Sequence, residues 1–386
     1  MSADRGYVFH NRLTHSLKVA QLARRMAEKL ASSQPKETEA VGGLDPDAAE
    51  AAALAHDLGH PPHGHIAEEE LNALAQKEGL TDGFEGNAQS FRIVTKLAVS
   101  DAIPSDDAIS LRGLNLTRTT LNAILKYPWL HGENPKKPKK WGAYETERQI
   151  FEWVRTGNNL GKFTKSAEAE LMDWADDITY AVHDLLDFFC AGQIPLDRLA
   201  DAEDASEKEV FFSEVFTRCE DLAPRRTQLQ EIFQEVLEFF PLDRRYVGTL
   251  KQRTGMWQFT TVLISRYVDA IRLLPTSDTQ TIVQIESYAQ DEIRMLKELT
   301  WHYVILNNEL ATVQYGQREA VRTVFQTMLK AAKDGETWKL FPPAHQEELY
   351  AAHGDLLLKK RIVLDYVASM TEHELARIYA LLTGRS

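Results

Sequence analysis

With 386 residues, 44% hydrophobic and 26% charged, the chain has the composition of a folded globular protein and ample material for a large core. A net charge of −13 makes duplex nucleic acid a poor main partner, because polyanions can then dock only on a local basic patch. Two cysteines, Cys190 and Cys219, exclude a disulfide framework, and no apolar run reaches the ~18 residues of a membrane span; the expectation is a cytoplasmic protein with no membrane attachment.

Helical periodicity dominates. From Arg12 to Leu30 apolar residues recur at steps of three and four, and His15 shares a face with Val19, Leu22 and Met26, so its imidazole is expected to point inward. A polar linker with Pro35 and Gly42-Gly43 follows. Asp45-Pro46 reads as the N-cap and first residue of an alanine-rich helix that runs to His56-Asp57 and stops at Gly59. Pro61-Pro62 forces a non-helical turn. One helix is expected over Ile66–Gln76, ended by Gly79, and another after Asp82-Gly83.

Tyr127 to Gly142 reads as a loop carrying Pro135-Lys136-Lys137-Pro138-Lys139-Lys140, and Tyr144 to Arg155 as helix. One long helix is expected from about Ser166 to Cys190, closed by Gly192. Helical patterns continue over Leu229–Phe239, Met256–Leu273, Ala289–Leu306, Glu319–Ala332 and Gly354–Met370. Thr371 with Glu374 forms a capping box for the last helix. Only Thr281–Ile285 looks like a strand, and there is neither an internal repeat nor a low-complexity tract. The fold class is all-α.

Half of the 12 histidines fall within the first 65 residues. Adjacent His56-Asp57 at a helix end suits a first-row divalent ion, since imidazole and carboxylate can converge there; a capping His beside a solvated Asp is the ordinary alternative. His15, on an apolar helix face with Arg12 one turn before it, adds a credible third ligand. In the long helix Asp176, Tyr180 and Asp184 stand at i, i+4 and i+8, so one stripe carries two carboxylates and a phenol. His60, His65 and Glu68 form a second group. His65 and Glu68 are three apart at a helix start, where the carboxylate can orient a proton-shuttling imidazole.

Several segments taken together resemble the HD-domain deoxynucleoside triphosphate triphosphohydrolases, the dGTPase-like family. They are Arg12-Leu13-Thr14-His15-Ser16-Leu17, the run from His56 to His65, Gly83 to Arg92, Ala175 to Asp184, and Asp365 to Thr371. The resemblance extends from about residue 9 to 383. It implies an HD-domain helical bundle with additional C-terminal helices, a single domain over 1–386 whose metal-site core is about 9–190 and whose C-terminal part is about 205–386.

The same resemblance implies His15, His56, Asp57 and Asp176 as ligands of a divalent ion, with Mn, Mg, Co, Fe, Ni and Zn all compatible. It implies His65 with Glu68 as the catalytic pair, His60 as a further phosphate contact, and Arg12, Tyr180 and Asp184 around the substrate, with Asn87, Gln89 and Arg92 shaping the pocket. Lys136 to Glu147 corresponds to a family loop near the triphosphate, although its lysines fit a solvated loop equally well. The implied partners are a dNTP substrate, further copies of the chain as a homo-oligomer (a hexamer by resemblance), and dNTP or single-stranded DNA effectors.

Two departures bear on this. The family's N-terminal basic, glutamine-containing segment, which helps read the deoxyribose 3′-OH, is not in the sequence, so either the sequence is short or sugar recognition differs. His63 stands where an aromatic such as phenylalanine is usual. Two alternatives remain open: another HD-type phosphohydrolase (a nucleotidase or phosphodiesterase), which need not keep His65-Glu68 or Tyr180-Asp184, and a nucleotide-sensing module with little turnover.

Overall fold

The computed structural model describes residues 12–98, 113–157, 160–201, 203, 205–274, 281–306 and 308–384. Among these the chain forms α-helices joined by turns, short 3₁₀ and π segments, and a single two-stranded ribbon, so the fold is all-α. No helix among them is long and apolar enough to cross a membrane. The chain divides into two compact units, one from Met1–Leu54 with Ala167–Leu310 and one from Ala55–Ser166 with Ala311–Ser386.

In the first unit, helix Arg12–Ser33 buries Val19, Leu22, Ala23, Met26 and Leu30, the inward stripe its periodicity demands, while Leu13 and Leu17 stay exposed. It packs along helix Ala167–Ile178, which buries Leu171, Met172, Trp174, Ala175 and Ile178. The Trp174 indole donates to the Tyr267 carbonyl at 3.2 Å. Asp45 caps the next helix as expected: its carboxylate accepts from the amides of Asp47 and Ala48 at 2.9 and 3.2 Å, with Pro46 in first position.

In the second unit, helix His65–Lys77 packs against helix Leu356–Ala368. Leu71, Leu74, Phe84, Val324, Phe325, Met328, Val363 and Val367 form one core there. Trp129, Trp141, Tyr144 and Ala88 form another. The Thr371–Glu374 capping box is present, each residue's side chain accepting from the other's amide.

Several elements differ from the sequence expectation. The helix after Pro46 ends at Ala55, so His56 and Asp57 stand in the turn that follows it. The expected Met256–Leu273 helix spans Leu250–Asp269, and Ile271–Leu273 is a strand paired antiparallel with Val283–Ile285. Ile271 and Leu273 are buried around an exposed Arg272, a two-residue alternation too short to see beside a strong helix and decided only by its partner. The long helix to Cys190 is broken into Ala167–Ile178, a π segment Thr179–Asp184 and Leu185–Cys190.

Candidate functional site

The second unit carries the histidine-rich turn. His56 is buried, and its Nε2 lies 3.5 Å from the Asp57 carboxylate, whose same oxygen is 3.1 Å from Nδ1 of His60. The turn is fixed from behind by helix Gly86–Arg92: the Ser90 hydroxyl donates to the His56 carbonyl at 2.9 Å and accepts from the Gly59 amide at 2.9 Å. Gly59 lies so close to this helix that a Cβ would overlap the Gly86 carbonyl oxygen and the Ser90 amide, both backbone atoms. Gly59→Ala is therefore expected to lower stability by about 3 kcal/mol, read as a fall in the denaturant midpoint. Leu58→Ala, at a neighbour 49% exposed, should move it little.

Beyond Pro61-Pro62 the chain turns through two residues with left-handed backbone, His63 at φ 68° and Gly64 at φ 61°, before entering helix His65–Lys77. Left-handed backbone is uncommon for a histidine and marks a conformation the surroundings enforce. The His63 imidazole lies 3.7 Å from the Glu372 carboxylate, in the first turn of helix Glu372–Thr383.

At the start of helix His65–Lys77, His65 Nδ1 lies 2.8 Å from Oε2 of Glu68, with 76% of the imidazole exposed and the carboxylate buried. The other oxygen of Glu68 accepts from the Lys140 ammonium at 3.1 Å and the Gly86 amide at 3.3 Å. Burial opposes the negative charge on Glu68. The His65 hydrogen bond, with the Lys140 and His60 charges, outweighs it and brings the carboxyl down to about 2. The same hydrogen bond raises the His65 imidazole above its ordinary value, against burial. His60 completes this group: its ligand atom and those of His65 and Glu68 lie within 4.8 Å of one another, and its ring packs edge-on to His65 at 5.4 Å and over Gly86.

Asn87, Gln89 and Arg92 share helix Gly86–Arg92 but differ in setting. The Asn87 amide donates to Glu85, the buried N-cap residue, at 2.8 Å. Gln89 and Arg92 are each 2% exposed, and both bind Asp365 of helix Leu356–Ala368.

The first unit carries the remaining candidates. His15 Nε2 lies 3.2 Å from Asp176 Oδ1 and its Nδ1 3.7 Å from Asp184 Oδ2. Both carboxylates reach one ring because of the π segment. Four residues overshoot a turn of α-helix, but with i→i+5 bonding they fall short of one, so the step from Tyr180 to Asp184 swings back toward Asp176. Asp177 instead bonds the Lys297 ammonium at 2.7 Å, which separates the two adjacent aspartates by role. Burial pushes the Tyr180 phenol up to about 12, with Asp184, Glu298 and Asp176 adding to it, so it stays a neutral donor. Arg12 is exposed at the start of helix Arg12–Ser33.

The donor sets fit a divalent cation. Burial resists a charge on His15, yet Asp176 and Asp184 overcome it and raise the imidazole to about 10. Imidazole and carboxylate donors facing one another, as those of His15, Asp176 and Asp184 do, are of the types a divalent cation takes. Four residues in the second unit were not singled out by the sequence. Glu85, Ser90, Lys140 and Asp365 lie in segments that carry the resemblance but are given no role of their own by it, and nothing in the sequence ranks Lys140 above Lys136, Lys137 or Lys139.

Imidazole–carboxylate contacts on an all-α scaffold suit an HD-type protein, and the comparisons with known families agree. A family model described as HD domain matches residues 12–180, and one described as phosphohydrolase-associated domain matches residues 283–381. The deoxyguanosinetriphosphate triphosphohydrolase-like protein of Streptomyces coelicolor is 35% identical over 384 residues, covering 97% of this chain and 83% of the relative. That of Corynebacterium efficiens is 34% identical over 391 residues, covering 97% and 84%. That of Bifidobacterium longum is 40% identical over 195 residues, covering 49% and 37%. The chain belongs to this deoxyguanosinetriphosphate triphosphohydrolase-like family of HD-domain hydrolases.

Proposed function

We propose that the protein hydrolyses deoxynucleoside triphosphates to deoxynucleoside and intact inorganic triphosphate. The observation that carries this reading is the His65–Glu68 pair, an exposed imidazole held at 2.8 Å by a buried carboxylate whose second oxygen is itself engaged. A module that only senses nucleotides has no need of such a pair. The name its relatives carry supports deoxynucleoside triphosphates as the substrate class.

By the family resemblance, His15, Asp176, His56 and Asp57 are the residues that would hold the divalent ion. Bound there, an ion offsets charge that develops on phosphate oxygens in the transition state. Mn, Mg, Co, Fe, Ni and Zn all suit two imidazoles and two carboxylates.

In the reaction a water oxygen bonds to the α-phosphorus and releases its protons to bulk water, the bond from phosphorus to the 5′ oxygen breaks, and that oxygen takes a proton. His65 supplies it. Its Nδ1 is engaged by Glu68, which leaves Nε2 to face the leaving oxygen. His60 and Arg12 bind phosphate oxygens. Tyr180 and Asp184 hold the sugar, the phenol stacking near it and the carboxylate on its polar edge. Asn87, Gln89 and Arg92 shape the pocket by fixing helix Gly86–Arg92 behind it. By family resemblance the protein works in the cytoplasm as a homo-oligomer, with dNTPs or single-stranded DNA as effectors.

The test is to incubate all four dNTPs with Mg, Mn or Co and separate the products by chromatography. Deoxynucleoside and triphosphate in equal amounts are expected. Orthophosphate or pyrophosphate as the main product would favour another HD phosphohydrolase, and a dNTP-dependent thermal shift with no product under any ion would favour the sensing module.

A further inference from the structure

The loop before Tyr144 delivers one lysine to the catalytic pair. Trp129 and Trp141 are buried, the Trp129 indole donates to the Lys140 carbonyl at 2.6 Å, and Leu130 bridges to Ala143. The backbone at Lys140 is therefore anchored, and its side chain is half-buried where Lys136, Lys137 and Lys139 before it are exposed. From this anchor its side chain, one-third exposed, brings the ammonium to two carboxylates at once, Glu68 at 3.1 Å and Glu85 at 3.0 Å.

Glu85 is 1% exposed and already occupied. It accepts from the Asn87 amide nitrogen at 2.6 Å, the Ala88 amide nitrogen at 3.0 Å and the Asn87 side chain at 2.8 Å. The cap makes Glu85 a fixed post, so the lysine is held against the catalytic carboxylate from a rigid point.

We propose that Lys140, held by Glu85, is a positioning residue for catalysis: with the Gly86 amide it locks Glu68 Oε1, and so turns Oε2 onto His65. The proposal rests on His65 and Glu68 being the acid–base pair. The charged and titratable groups that face them are His60, Asp57 and Lys140 around His65, and His60, His65, Lys140 and Glu85 around Glu68; Glu85 also faces Lys140. A lysine that merely binds substrate phosphate would serve equally well without any contact to Glu68.

The two roles give opposite signs in protein without substrate. The Lys140 charge by itself lowers the His65 pKa, whereas the Glu68 hydrogen bond raises it. With Mg present, the His65 imidazole is titrated by NMR, its signal assigned by its loss in His65→Gln. In Lys140→Met the positioning role predicts that the His65 pKa falls toward 6.5, because Glu68 is released; a rise means that only a through-space charge was removed and overturns the proposal.

Turnover of dNTPs gives the second readout. Lys140→Met is expected to lower kcat about 10–100-fold with KM nearly unchanged, and Lys140→Arg to recover much of the loss. A raised KM at constant kcat would make Lys140 a phosphate contact and overturn the proposal. If the His65 pKa falls as expected while neither wild type nor variant turns over dNTPs, the positioning stands and the proposed reaction is what has failed.

Discussion

His65→Gln is expected to lower kcat for dNTP hydrolysis by about 10²–10⁴-fold, the range a positioned general acid supplies. Most of the imidazole is exposed, so the folded protein loses little packing and the thermal midpoint should stay near wild type. KM should change little, since the ring is assigned to a proton and not to ground-state binding. Glu68→Gln should bring a similar loss, and with it a change in pH profile.

The sign follows from the hydrogen bond. Glu68 raises the His65 pKa above 6.5, so the protonated acid persists above that pH, and activity falls as pH rises through the raised value. In Glu68→Gln that alkaline limb should move down toward 6.5. The contribution of the charged pair to stability has two edges. On the His65 side it is present below 6.5 and lost as pH rises through the raised value; on the Glu68 side it is present above 4.5 and lost as pH falls toward about 2. An alkaline limb that stays put in Glu68→Gln would show that a different group donates the proton.

The fold was legible wherever local chemistry decided it. The Asp45-Pro46 start and the Thr371–Glu374 box are both set by residues within one turn of each other, and both are found. The Ile271–Leu273 strand was hidden because its pairing with Val283–Ile285 is a tertiary event that overrides three residues of helical pattern. The π segment was hidden for a related reason: the sequence shows Asp176, Tyr180 and Asp184 at α-helical spacing, but a single wider turn changes which of them meet His15.

The candidate site divides along the same line. His56-Asp57 and His65-Glu68 are contacts between neighbours in sequence, visible as a dipeptide and an i, i+3 pair. The Lys140 contacts span 72 and 55 residues, and the Asp365 contact to Arg92 spans 273, so no local pattern encodes either.

Arg92→Met is expected to have the largest effect on stability, about 3–5 kcal/mol, because it strands buried carboxylates. The guanidinium bonds both oxygens of Asp365, at 2.7 and 3.1 Å, and Oε1 of Glu147 at 2.6 Å, and all three residues are buried. Methionine fills much of the volume but pairs with neither acid. It also removes the ion pair between helix Gly86–Arg92 and helix Leu356–Ala368, where the Gln89 amide still donates to Asp365 at 2.9 Å. Ser90, two residues before Arg92, holds the His56–Gly59 turn through both of its hydroxyl bonds. Uptake of Mn or Co should therefore weaken along with the urea midpoint, even though Arg92 touches none of the proposed ligands.

A second substitution separates charge from shape. Adding Asp365→Asn to Arg92→Met removes one of the stranded charges, so the double variant should be more stable than Arg92→Met alone, a positive coupling in the mutant cycle. If the two losses instead add independently, Arg92 contributes through packing, and the ion pair to Asp365 is not what joins the C-terminal helix to the His56–Gly59 turn.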